Sequence, residues 1–290
     1  MTPYDALIAP FAEFEFMRRA LVGSVALALG AGPIGVLLML RRMSLVGDAM
    51  AHAILPGAAI GFLISGLSLG AMTIGGLVAG FAVAILAGLV TRNTVLKEDA
   101  SLAAFYLISL ALGVTIVSIR GSNIDLLHVL FGAVLALDDN ALLLLAGVAT
   151  VTLVALAVVW RPLVLECVDP GFLRSVSRSG APAHLLFLAL VVLNLVGGFH
   201  ALGTLLVVGL IMLPAIAARF WTPDMTGMIA VSTAIAIAAS VCGLLISYHG
   251  GLPTGPAIIL VAGAACIGSL LFGKVGGVLW RLLPSPHYEA

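Results

Sequence analysis

The sequence predicts an all-α, polytopic membrane bundle of about nine transmembrane helices, or eight if one short run does not cross. Three observations predict it. The 290 residues are 62% hydrophobic and 9% charged, with a mean hydropathy of +1.25, whereas soluble domains carry roughly 25% charged residues. Apolar stretches of about 18 residues or more recur along the chain, long enough to cross a bilayer as helices. Basic residues concentrate on one of the two sides that these stretches define.

The apolar runs fall at about 17–40, 44–66, 69–91, 100–118, 141–160, 183–198, 201–219, 226–248 and 255–273. The run at 183–198 is the one short enough to reduce the count to eight. The opening stretch, MTPYDALIAPFAEFEF, is acidic and has no basic n-region. No cleavable signal peptide is expected, so the first run stays as a helix. Residues 124–137 are apolar but short, and predict an outer or re-entrant helix. The whole of 1–290 reads as one transmembrane domain.

With the Arg41–Arg42 pair set on the cytoplasmic side, alternation also places Arg92, Lys97, Arg161, Arg174, Arg178, Arg219, Lys274 and Arg281 inside. Only Arg18, Arg19 and Arg120 fall outside. That bias puts the N-terminus outside and the C-terminus in the cytoplasm. The longest polar stretch, Arg161 to His184, lies inside in this scheme. Asp169 reads as a helix cap and Pro170 as a first-turn residue. Gly180 and Pro182 read as stop signals, so 169–182 predicts a cytoplasmic segment with a helix of about ten residues carrying Arg174 and Arg178. Gly57/Gly61, Gly66/Gly70 and Gly76/Gly80 sit four apart, a spacing that lets helices approach closely in lipid.

The composition also excludes functions. Net charge is zero, which leaves no nucleic-acid footprint. Cys167, Cys242 and Cys266 are scattered, with no C-x-x-C pair, so neither a disulfide framework nor a thiolate metal site is expected. GSLLFGK, Gly268 to Lys274, approaches a phosphate loop, but Val275 follows where Ser or Thr is needed, and no strand precedes it. It reads as the end of a membrane helix. No hydrolase or metalloprotease motif occurs, so the chain is not expected to be an enzyme or to hold a permanent cofactor.

The chemistry concentrates in SLVGDAMAHAILPG, Ser44 to Gly57. Four residues of helix turn through about 400°, so Asp48 and His52 share one face. His52 lies ten residues past Arg42, about 15 Å into a core about 30 Å thick. Ionisable groups at that depth face protein or water and have a partner. Pro56 withholds a bond from the His52 carbonyl. A carboxylate with an imidazole suits a first-row divalent ion such as zinc or manganese; the alternative is a hydrogen-bonded pair that only pins helices. His200, at the outer end of two apolar runs, is a second candidate ligand. Asp125 and His128 could share a face of the short outer helix, most simply in a structural role. Helix-start placement accounts for Glu98 and Asp99.

Several segments, in order, resemble the membrane permease subunits of zinc/manganese/iron ABC importers. RRMSLVGDAMAHAILPGAAIGFL looks like the family's second-helix signature and IDLLHVLFGAVLAL like its short outer segment. VDPGFLRSVSRSGAP is similar to its coupling segment, and ALGTLLVVGLIMLPAIAARF to its late block. Together they cover about residues 16 to 280.

The resemblance implies a type II ABC importer permease in a bacterial cytoplasmic membrane. Two copies would form the pathway, a cytoplasmic ATPase dimer would dock beneath, and an extracytoplasmic metal-binding protein would deliver the ion. Asp48 and His52 match the family's Asp and His of the translocation path. Asp169, Pro170, Gly171, Phe172, Leu173, Arg174, Arg178 and Gly180 match its ATPase-coupling segment. SVSRSG departs from the usual small-residue–Gly pattern there. Phe199-His200 replaces the Arg-Val common before the late block, and the added histidine points to zinc ahead of manganese. The rivals are a permease for an iron chelate or cobalamin, and a proton-coupled secondary metal transporter, which would show inverted repeats; no repeat is visible.

Overall fold

The computed structural model describes residues 4, 7–43, 46–66, 68–119, 134–177 and 180–279. Among them the secondary structure is helical throughout. In chain order the helices are α1 Ala9–Glu13, α2 Glu15–Leu40, α3 Val46–Ala53, α4 Leu55–Ser65, α5 Leu69–Asn93, α6 Glu98–Ile119, α7 Asp139–Val168, α8 Pro170–Val176, α9 Gly180–Leu202, α10 Thr204–Ala218, α11 Met225–Gly250 and α12 Thr254–Phe272. A short 3-10 turn, Val134–Ala136, precedes α7. Most of the expected 124–137 helix lies outside the described residues.

Among the described residues the nine long apolar runs are helical, with breaks at Ile54 and Gly203. Eight spans among the described residues are long and apolar enough to cross a membrane. The short one is α10 rather than the 183–198 run, which lies within a full-length span, Gly180–Phe199. Fifteen residues of α10 reach about 22 Å. The cause is the turn before it. Gly203, at φ 93°, reverses the chain in a single residue, a conformation that glycine adopts without steric cost. Ala201, Leu202 and Thr204 around it are buried. Irregular backbone is tolerated at membrane depth where protein covers it.

The helices sort into a centre and two flanks. α2 and α9 are the most buried spans. With α10 they hold the main core, which includes Leu27, Ile34, Val191, Leu195, Leu210 and Ile211. α3 to α6 pack together on one flank, while α11 and α12 cover α2 and α10 on the other. α7 packs against α2 and α9. Glycine sets the closest approaches. A Cβ on Gly57 of α4 would fall on the carbonyl oxygen of Gly75 in α5, and one on Gly61 would meet that of Ala71. Of the glycine pairs in the sequence, Gly57/Gly61 is thus a backbone-to-backbone seam. Gly66 instead takes a positive φ at the end of α4, and Gly70 faces open space.

Polar bonds fix which helix ends lie together. Arg19 of α2 bridges Glu15 at 2.8 Å and Asp139 of α7 at 3.1 Å. The other end of α2 meets the start of α9 through Arg41 and His184. The backbone N–H of Val275 donates to the Phe220 carbonyl, joining the segment after α12 to that after α10. Met39 and Leu40 of α2 pack with Ala215 and Ala218 of α10, Gly88 of α5 lies beside His184, and Gly180 beside Glu166, so the helix ends near Arg41, Lys97, Asp169, Arg219 and Lys274 share one side, the basic end. α7 has 30 residues, about 45 Å. It bends at Val159, where φ and ψ leave the helical range, one turn before Pro162.

Gly180 and Pro182 do not stop a helix. α8 ends at Val176, and Gly180 begins α9 with Pro182 in its first turn. Proline is as much at home in a first turn, where its missing N–H has no partner to lose, as after a helix end. α8 therefore has seven residues rather than about ten. Cys167, Cys242 and Cys266 are free thiols. Gly268 and the residues up to Phe272 belong to α12, and Gly273 caps it, so GSLLFGK is a helix end.

Candidate functional site

The turn before α3 fixes where its side chains point. α2 closes with the Met43 N–H donating to the Leu38 carbonyl at 2.9 Å and the Arg42 N–H to the Met39 carbonyl at 3.0 Å. This is the paired bonding of a Schellman end, in which glycine usually holds the left-handed position. Here Arg42 holds it, at φ 60°, against the crowding of its own Cβ. The chain then enters α3 at Val46.

α3 is buried at Val46, Gly47, Ala49, Met50, Ala51 and Ala53. Asp48 and His52 are its two positions that are not buried. His52 Nε2 lies 3.9 Å from Asp48 Oδ1, with side chains 38% and 71% exposed. The carboxylate sits in the first turn, favourable to the helix dipole, and the imidazole in the last. At this distance the two are neighbours rather than a locked pair, so both can turn toward a third atom.

Opposite them stands α6. The His52 and Tyr106 rings lie 6.4 Å apart. Tyr106 and Asp48 both line a cavity of about 200 Å³ whose wall also includes Asp99, Leu102 and Ala103. Asp99, treated in sequence as a helix-start acid, and Tyr106 are functional candidates that sequence reasoning missed. Their spacing held a signal: 99, 102, 103 and 106 follow the i, i+3, i+4, i+7 rhythm of one helix face.

The break between α3 and α4 lies beside this site. Ile54 separates the helices, and Leu55 and Pro56 form the first turn of α4. The Ser109 hydroxyl of α6 donates to the Ala53 carbonyl at 2.7 Å. A Cβ on Gly113, one turn further, would come within 3.0 Å of the Pro56 nitrogen. α6 thus closes on the broken backbone and meets part of its hydrogen-bond demand.

His200 lies in the last turn of α9, sixteen residues beyond His184, about 24 Å along the axis. Its side chain is outside the described residues. In the coupling segment, Asp169 caps α8 by accepting from the Phe172 N–H at 2.8 Å. Leu173 is buried and Phe172 is exposed. Pro170 and Arg174 belong to α8, Gly171 is exposed, and Arg178 lies outside the described residues. Gly180 packs on Glu166, whose Oε2 would lie 2.9 Å from a Cβ there. Among the described residues no three His, Cys, Asp or Glu side chains converge on one point.

A bundle of apolar spans, a polar pair on a broken helix whose carboxylate lines a cavity, and a short capped helix outside the spans are the features of a membrane transport permease. The chain belongs to the ABC 3 transport family, whose model matches residues 13–273. It is a permease subunit of an ABC transporter and not itself an enzyme. It is 32% identical over 250 residues to the manganese import system permease protein ScaB of Streptococcus parasanguinis, covering 86% of this chain and 88% of that one. It is 29% identical over 272 residues to the chelated iron transport system membrane protein YfeD of Yersinia pestis, covering 94% and 90%. Among solved structures it is similar to PsaBC from Streptococcus pneumoniae in complex with Fab, with a TM-score of 0.82 at 29% identity, over 95% of this chain and 98% of that one.

Proposed function

We propose that this chain is the transmembrane subunit of an ATP-driven importer that carries a divalent transition metal across the cytoplasmic membrane, with Asp48 and His52 as ligands in the path. One observation carries the reading: α3 is buried on every side except at these two residues. A carboxylate and an imidazole match first-row divalent ions. Manganese is the ion to test first, since ScaB is named for its import. Zinc, which the extra His200 favours, is the competitor.

Two donors from one chain leave most of an ion's coordination positions open. The same pair from a second copy, with water, would complete a transient site. A closed four-ligand cage would retain the ion as structural sites do. The partners follow from this reading: a homodimer, a cytoplasmic ATPase dimer seated against 169–180, and an extracytoplasmic metal-binding protein. The N-terminus would lie outside and the C-terminus in the cytoplasm, a reading the bias of basic residues to one end supports. ATP-driven movement of α8 would alternate access to the Asp48–His52 face from either side.

The test is ATP-dependent uptake of radioactive manganese and zinc in vesicles carrying the permease with its ATPase and binding protein. The expected result is loss of uptake in His52→Ala and Asp48→Asn while the complex still assembles. Full uptake in both variants would show that the pair only pins helices.

A further inference from the structure

We propose that Arg41, acting through His184, is a positioning residue that ties the foot of α3 to the coupling helix α8. The inference rests on the transport reading above. Arg41 Nη2 donates to His184 Nδ1 at 2.7 Å. A guanidinium has donors only, so Nδ1 is the acceptor and the ring's other nitrogen carries the proton. That nitrogen points at α5, 3.8 Å from where a Cβ on Gly88 would lie. The Arg41 guanidinium also lies over the Phe187 ring, 5.0 Å from its centroid. His184 is 5% exposed and Phe187 fully buried. Arg41 therefore leaves the turn between α2 and α3 and anchors inside α9.

The other side of the link runs to α8. Leu173 of that helix, 3% exposed, packs on Gly180, 3.5 Å from where its Cβ would be. Glu166 of α7, 3% exposed, lies against the same glycine. The first turn of α9 is thus held at Gly180 by Leu173 of α8 and by Glu166 of α7. His184 sits one turn beyond Gly180 on α9. A displacement of α8 moves Gly180, and with it His184 and the guanidinium it holds.

Arg42 keeps this link short. Its left-handed backbone turns the chain off α2 at once, and the Val46 N–H that opens α3 donates to the Met43 carbonyl at 3.1 Å. Elastic loops absorb motion, whereas backbone bonds that hold Arg42 and Met43 on α2 and Val46 on Met43 pass it on. Asp48 and His52 lie on the helix that receives it.

The experiment uses the complete transporter in proteoliposomes, with manganese uptake and ATP hydrolysis measured on the same vesicles. Arg41→Met and His184→Phe are expected to keep hydrolysis within about twofold while manganese moved per ATP falls about tenfold. His184→Asn, which offers an acceptor near the Nδ1 position, is expected to recover most of that ratio. The double variant Arg41→Met/His184→Phe removes donor and acceptor of this bond together. It is expected to regain thermal stability but not manganese per ATP, and it decides the case where a single variant does not fold. Recovery of both together, or wild-type ratios in all variants, would overturn the link and leave the transport reading standing. Wild-type vesicles that hydrolyse ATP without moving manganese or zinc would overturn both.

Discussion

The Ser109 hydroxyl reaches across from α6 to the Ala53 carbonyl, 2.7 Å away, at the point where α3 breaks from α4. Ser109 is buried, so this bond forms away from solvent. It ties the end of α3, one residue past His52, to the helix that carries Tyr106.

Removing that hydroxyl leaves a buried carbonyl short of a partner. Ser109→Ala is expected to destabilise the permease by about 1–2 kcal/mol, read as a lower thermal midpoint in detergent. Metal uptake should fall as well, since the His52 face loses its fixed distance from α6. Pro56→Ala restores a backbone donor to the broken turn. It should raise the midpoint while uptake falls, because a straightened helix carries His52 away from Tyr106.

The seam between α4 and α5 has no room for a methyl group. Gly57→Ala places a Cβ on the Gly75 carbonyl, and backbone cannot turn aside as a side chain can. The expected cost is about 1–3 kcal/mol, seen as loss of monodisperse protein on size-exclusion chromatography. Gly70→Ala, four residues after Gly66 and facing open space, should behave as wild type.

Asn194 is 1% exposed. Its amide donates to Thr152 Oγ1 at 2.7 Å and to the Leu190 carbonyl at 2.8 Å. This polar tie joins α9 to α7, and Gly30 of α2 packs against the amide oxygen. Asn194→Ala should cost about 1–3 kcal/mol. Thr152→Val in the same background should add little, which a double-mutant cycle on thermal stability would measure.

The cap of α8 lends itself to a binding assay. Asp169→Ala removes the acceptor for the Phe172 N–H and should destabilise the helix by about 1 kcal/mol. Pull-down of the ATPase should weaken about fivefold, while the membrane bundle melts unchanged. Asp169→Asn or Asp169→Ser should retain most of the affinity, since both still cap.

The sequence by itself determined the helices and the polar pair. Apolar runs fold as helices in a chain this short of charge, because unpaired backbone is too costly in lipid. Asp48 and His52 are legible for the opposite reason: four residues apart in such a run, they have one face to share. The Asp169 cap and the end of α12 at Gly273 are likewise local chemistry. Tertiary structure decided what local chemistry leaves open. Pro182 fits a helix start and a helix stop equally well, and only the packing of Gly180 on Glu166 and Leu173 selects the start. Pro56 announces a break, but its place at Ile54 and the bond to Ala53 depend on Ser109, 56 residues away in sequence. Asp99 and Tyr106 are ordinary residues of α6 until α3 is laid across from them. Arg41 and His184 are 143 residues apart. Their bond exists because the buried faces of α2 and α9 bring those helix ends together, and no spacing rule in a single chain can encode that distance.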